Sequence, residues 1–171
     1  MFWFALPALM LHQFEEYVFP GGFRKWMNSF VYQSENPDAP LTKKLAFVIN
    51  IVIGWPVFAA VGYVGQEQMW FTLPMLGILF VNAWFHIALS VSHQRYSPGT
   101  FTAMLVLIPL SLYAFYYYAM TWEIGFRLLL ISLLTGIVFH LLVAVLPREW
   151  AQAREHRRFR EAQDQEADPK H

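Results

Sequence analysis

Apolar and polar positions along this chain are patterned on the scale of a bilayer rather than of a helix face. Five apolar runs, roughly 2–19, 45–65, 69–92, 101–121 and 124–146, are separated by polar links. Each is close to the ~20 residues that an α-helix needs to cross a hydrocarbon core. The pattern predicts an all-α, polytopic membrane helical bundle of about five transmembrane helices over 1–147, with a polar tail over 148–171. The first run reads as a retained helix and not a signal peptide. It has no basic n-region, and Glu15 and Glu16 stand where a small-residue cleavage site is expected. Pro7, Pro56, Pro74 and Pro109 lie inside runs, where kinks are expected.

Charge in the links sets a direction. Arg24, Lys25, Lys43 and Lys44 follow the first run, Arg95 follows the third, and six more basic residues follow the fifth. The links at Gln66-Glu67-Gln68 and Thr121-Trp122-Glu123 carry none, with Arg127 just inside the fifth run. The positive-inside rule then places the N-terminus outside and the C-terminus in the cytoplasm, in a multi-pass protein of the inner or plasma membrane. Pro20-Gly21-Gly22 ends the first helix, Phe23 to Tyr32 is expected as a short interfacial helix with Trp26 and Phe30 facing lipid, and Asn36 to Pro40 as a turn. The tail is expected to be helical at first, anchored by Trp150, with Glu155 and Arg158 paired, disordered beyond Gln163, and dispensable for the membrane domain.

Composition narrows the function classes. The chain is 57% hydrophobic and 14% charged, too apolar for an ordinary soluble domain. Its net charge of zero gives no basic excess for nucleic acid. The absence of cysteine removes disulfides, thiolate-bound zinc and iron–sulfur clusters.

Against that background, the polar residues inside the runs are informative. His12 stands three and four residues before Glu15 and Glu16, so either pair can share a ligand or a proton. Asn82, His86 and His93 fall within ~40° of one another around a helix. With the topology above, His12 lies ~12 Å and Asn50 ~8 Å below the cytoplasmic surface, and His86 and His140 lie about eight and seven residues from the ends of their helices. Four helices thus place polar groups at similar depth, which predicts one polar chamber open toward the cytoplasm. Glu15, Glu16 and His93 would lie nearer its mouth. Each residue also has a plain alternative: His140 as a hydrogen-bonded core histidine, Asn50 and Asn82 as helix cross-links, His93 as a solvated interfacial residue, and the glutamates as snorkelling groups.

Three stretches carry a resemblance: His12-Gln13-Phe14-Glu15-Glu16, then Asn82-Ala83-Trp84-Phe85-His86, then Tyr96-Ser97-Pro98-Gly99. In this order they resemble the HxxEE, NAxxH and YxPG motifs of the bacterial HXXEE-motif integral membrane protein family, whose function is unknown. The resemblance covers most of the membrane domain and not the tail. It implies that His12, Glu15, Glu16, Asn82, His86, Tyr96, Pro98 and Gly99 form one site, and it names no reaction. Ser97-Pro98-Gly99 also reads as a type II turn that folds Tyr96 over the chamber mouth.

Histidine and carboxylate without thiolate suit zinc, iron or manganese. His12, Glu16 and His86 would make a two-His, one-carboxylate set, with His93 or His140 as optional ligands, and Glu15, Glu16, Asn82 and Tyr96 as catalytic candidates. The glutamate not spent on metal would act as general base toward water. The expected function is a metal-dependent membrane hydrolase or oxidoreductase acting on a lipid-like or isoprenoid-like substrate. The alternatives are a small transporter or proton-coupled carrier, against which stands the lack of an internal repeat, and a structural membrane protein.

Overall fold

The computed structural model describes residues 1–121 and 125–167, with the side chains of 150 and 152–167 outside the description. The link at Trp122-Glu123, the Trp150 anchor and the Glu155–Arg158 pair therefore lie outside the described residues. Among the described residues every regular element is helical and none is a strand. After a 3-10 turn at Phe2–Phe4, α1 runs Ala5–Tyr17. Helix α2 joins Phe23–Trp26 to a π-helical turn, Met27–Val31. Helix α3 joins Lys43–Phe47, a π-helical stretch Val48–Gly54, and Trp55–Val64. Helix α4 is Met69–Ser92, and α5 spans Thr100–Thr121. Helix α6 runs from Phe126 to Ala167 through Pro147. It continues past Gln163, so the expected disorder does not begin there.

Local chemistry explains the breaks. Thr42 starts α3 by accepting a hydrogen bond from the Leu45 amide at 3.2 Å. The π-helical stretches of α3 and α5 end just before Trp55-Pro56 and Ile108-Pro109. A proline ring clashes with the carbonyl four residues back, and a widened turn relieves that clash. Between α3 and α4 the backbone leaves helical geometry at Gly65 (φ 49°, ψ −131°) and Gln68 (φ −124°, ψ 59°). The chain folds back there. Asn50 of α3 bonds Gln13 at 3.1 Å and Asn82 of α4 bonds the adjacent His12 at 2.9 Å, whereas residues 32 apart in one straight helix would be separated by ~48 Å.

Helix α4 is the axis. Its Leu73, Leu76, Leu79 and Ala83 are buried against Leu9 of α1, Val61 of α3, Leu107 of α5 and Leu128 of α6. It lies closest to α6. A Cβ on Gly77 would come 2.0 Å from the Ser132 carbonyl oxygen, and one on Gly136 would come 2.4 Å from that of Gly77. Small residues let the two backbones touch, as membrane helices often require. The perimeter is apolar instead: Trp70, Trp84, Leu112, Tyr116, Leu141 and Val145 are all exposed. Three stretches, Lys43–Ser92, Thr100–Thr121 and Phe126–Glu149, are long and apolar enough to cross a membrane.

The ends of the bundle differ. At one, Phe2 stacks on Tyr118 with ring centroids 4.9 Å apart and sits beside Gly65. At the other, α2 packs under Arg95, over the Phe30 ring, and Arg148, which donates to the Val31 carbonyl at 3.0 Å. Trp26 corrects the expectation of a lipid-facing ring: it is buried with Phe23, Met27 and Leu41. The reason is that α2 is clamped inward. Asn28 bonds the Pro37 and Leu41 carbonyls and the Leu41 amide, and Arg24 bonds the same two carbonyls and Asp38. The expected turn at Asn36 is present, with the Asp38 amide donating to the Asn36 side chain at 2.9 Å.

Candidate metal centre

Helix α1 places His12, Glu15 and Glu16 on its buried side, each at most 5% exposed, while Leu11 and Phe14 face outward. The two glutamates then have different partners. Glu15 Oε1 accepts from the Gly99 and Phe101 amides at 3.0 Å each and from the Tyr96 hydroxyl. Glu15 Oε2 accepts from the Thr102 amide at 2.6 Å and from the Thr102 hydroxyl. A carboxylate from α1 thus caps the start of α5, satisfying amides that have no partner within their own helix. Five donors consume its acceptor capacity. Tyr96, in the link after α4, is spent on the same contact. Burial, and then its bond to Glu15, push its hydroxyl pKa up, so it remains a neutral donor. Glu15 and Tyr96, expected as catalytic candidates, hold α5 to α1 in this geometry.

Glu16 faces the histidines. Its Oε1 lies 3.1 Å from His86 Nε2 and 3.7 Å from His12 Nε2. The imidazoles meet edge to face with centroids 4.7 Å apart, and both are fully buried. Thr102 fixes the tautomer of His12. Its hydroxyl hydrogen goes to Glu15, so it accepts from His12 Nδ1 at 2.9 Å. The lone pair of His12 is therefore on Nε2, facing Glu16 and His86. Neither nitrogen of His86 is in a hydrogen bond, so the close approach to Glu16 is off the N–H axis. Leaving such buried groups unpaired costs about 1–3 kcal/mol each.

Those three donor atoms lie within 4.8 Å of one another and could hold a metal ion. Nitrogen and oxygen ligands ~2.1 Å from a tetrahedral ion sit about 3.4 Å apart, between the 3.1 and 3.7 Å that separate Glu16 Oε1 from His86 Nε2 and His12 Nε2. The hydrogen bond of the second His12 nitrogen, through Thr102 to a carboxylate, is the outer-shell arrangement that orients histidine ligands. The donor set fits zinc, iron or manganese.

Gly99 makes the cluster possible. The Thr100 amide donates to the Ser97 carbonyl at 3.0 Å, and Gly99 has φ 103° and ψ −18°, so Ser97-Pro98-Gly99-Thr100 is the expected type II turn. A Cβ on Gly99 would come 2.6 Å from His86 Cε1 and 2.9 Å from His12 Cε1.

The Asn82 amide lies between two imidazoles, its Nδ2 2.9 Å from His12 Nε2 and its Oδ1 3.0 Å from His140 Nε2. His140 thus reaches the cluster only through Asn82. His93 keeps the expected helical face but lies two turns beyond His86, ~10 Å further along α4. Its amide still bonds the Leu89 carbonyl at 3.1 Å, and its ring reaches the Leu89 and Phe30 carbonyls at 3.0 and 3.2 Å, beside Trp26. Asn50 bonds Gln13 and the Tyr17 hydroxyl. Thr102 is a central residue that sequence reasoning passed over. Its one signal is a hydroxyl in the first turn of an apolar run, three residues after Gly99.

Next to the cluster lies a cavity of about 730 Å³ with apolar walls from α1 to α4 and α6, including Leu9, Phe23, Met27, Ile78 and Val138. His12, Glu16, Asn50, Asn82 and His140 supply its polar lining.

A family model described as "Protein of unknown function with HXXEE motif" matches residues 3–114, which contain all three motifs and leave out α6. The chain is 26% identical over 146 residues to the uncharacterized protein YrkK of Bacillus subtilis (strain 168), covering 81% of this chain and 88% of that one. No solved structure matches it. With the family model matched over more than half its length, and His12, Glu15, Glu16, Asn82, His86 and Gly99 gathered in one place, the chain belongs to the HXXEE-motif family.

Proposed function

We propose that this chain is a five-span membrane protein, N-terminus outside and C-terminus cytoplasmic, and a metal-dependent enzyme acting on a lipid-like or isoprenoid-like substrate. The carrying observation is the convergence of His12 Nε2, Glu16 Oε1 and His86 Nε2, buried and with neither nitrogen of His86 in a hydrogen bond, at the wall of an apolar cavity. The span count rests on the fold-back at Gly65–Gln68, which divides the long stretch 43–92 in two, and on α1 as a fifth element. The orientation rests on Arg24, Lys25, Arg95 and Arg148 lying at the end opposite Phe2 and Gly65.

A divalent ion held there would supply Lewis-acid polarisation of a substrate oxygen. The chain's own residues do the rest. A cavity of this volume is within the range of small-molecule sites, and its apolar walls would bind a hydrocarbon chain. His12 and His86 hold their rings against Gly99. Glu16 is the carboxylate of the pair left to face the ion, since Glu15 is spent on the start of α5.

Metal analysis of the detergent-purified protein is the test. About one zinc, iron or manganese per chain is expected, abolished by Glu16→Gln and by His86→Ala. A wild-type protein free of metal after reconstitution with each ion would remove the enzyme reading. One observation favours a second: hydrogen bonds run without a gap from His140 through Asn82, His12 and Thr102 to Glu15, as a proton-coupled carrier would need. Proton flux into vesicles carrying metal-free protein would select it.

A further inference from the structure

His140 has a hydrogen-bonding mismatch that points to a further ligand. Its Nδ1 lies 2.8 Å from the Gly136 carbonyl and its Nε2 lies 3.0 Å from Asn82 Oδ1. Both neighbours are acceptors, and a neutral imidazole has one N–H. On the other side of the same amide, Asn82 Nδ2 lies 2.9 Å from His12 Nε2, beside the place a metal on that nitrogen would take, where an amide N–H cannot be a ligand. Half a turn of the Asn82 amide resolves both problems. Its Nδ2 then donates to His140 Nε2, while His140 Nδ1 keeps its bond to Gly136. Its Oδ1 then faces His12 Nε2 from about the spacing that His86 and His12 keep from Glu16. Asn82 Oδ1 and the His12 Nε2 lone pair would then be two acceptors 2.9 Å apart, repulsive without a cation and suited to one with it.

We infer that Asn82 is the fourth protein ligand of the metal centre, through Oδ1, and that His140 is the positioning residue that turns the amide toward the ion. This rests on the metal reading of His12, Glu16 and His86. It gives His140, on α6 and beyond the residues shared with the family model, a role that the three motifs do not contain.

The experiment is titration of full-length protein in detergent with Co²⁺ and with Zn²⁺, reading the dissociation constant and the Co²⁺ visible spectrum. The ligand role predicts that Asn82→Ala weakens binding at least tenfold and changes the Co²⁺ band shape. It predicts that Asn82→Asp, which keeps an oxygen in place, binds at least as tightly as wild type. His140→Phe should weaken binding ~10–100-fold, as loss of an outer-shell partner does, with less effect on the spectrum. Should Asn82→Ala fail to fold, Asn82→Asp still decides: weaker binding there means the amide acts as a donor to His12, and the inference is wrong. Wild-type binding that His86→Ala removes and Asn82→Ala leaves unchanged overturns the Asn82 role alone. A wild type that binds neither ion overturns the metal reading with it.

Discussion

Two adjacent glutamates of one motif have unlike roles because consecutive residues on a helix point ~100° apart. Glu15 meets the backbone of α5, and Glu16 meets His86. Gly99 is the residue on which their separation depends. An alanine there would add left-handed backbone strain of ~1–2 kcal/mol and a Cβ 2.6 Å from the His86 ring. Gly99→Ala is therefore expected to weaken metal binding at least tenfold while helical content, read by circular dichroism, stays close to wild type. Unchanged binding would mean that His86 is not held where the turn places it.

At the scale of elements, two contacts carry most of the arrangement. Gly77 and Gly136 bring α4 against α6, and the open side of α2 is closed by the 32–42 link. Gly77→Ala places a methyl group 2.0 Å from a carbonyl oxygen, so the helices must part. A cost of roughly 1–3 kcal/mol is expected for such overpacking, seen as a lower melting temperature in detergent. The link should respond to acid. The hydrogen bond from Arg24 holds the Asp38 carboxyl below the usual carboxylate range. A depressed carboxylate adds order above its unfolded pKa of about 4 and loses it as pH falls through the lower native value. Amide exchange at Ala39 and Leu41, corrected for the intrinsic rate, should thus stay flat from pH 7 to 5 and rise only in stronger acid. Asp38 is exposed, so the effect is local and small. Asp38→Asn should abolish the rise; a rise already present at pH 6 would point to another group.

At the scale of the molecule, the bundle is inverted relative to a soluble domain. Its perimeter is apolar, and a patch of charge and amide sits near its axis. The orientation proposed for it puts that patch in the cytoplasmic half. A reporter fused after His171 is expected to read cytoplasmic, and one inserted near Glu67 external. The opposite pair of results would reverse the face from which substrate enters and leave the cluster geometry untouched.

The five runs, the helix end at Pro20-Gly21-Gly22 and the type II turn at Pro98-Gly99 were all legible in the residues, because chain hydropathy and backbone sterics act locally. So was the pairing of His12 with Glu16 and of Asn82 with His86: helix spacing sets each pair on one face of its helix. The three motifs mark the same residues. What needed the tertiary structure was every choice that depends on a neighbour from another helix. Glu15 and Glu16 look alike in the sequence and differ because only one of them faces the start of α5. His93 fits the stripe of His86 by angle but lies two turns further along it, where the Phe30 carbonyl and Trp26 of α2 take up its ring. Trp26 suits an interface and is buried because Asn28 and Arg24 pull the 37–41 backbone over it. Thr102 offers only a hydroxyl in the first turn of an apolar run until the folding of α5 against α1 sets it between His12 and Glu15. Local patterns select which groups must be buried, whereas packing decides which partner each burial is satisfied by.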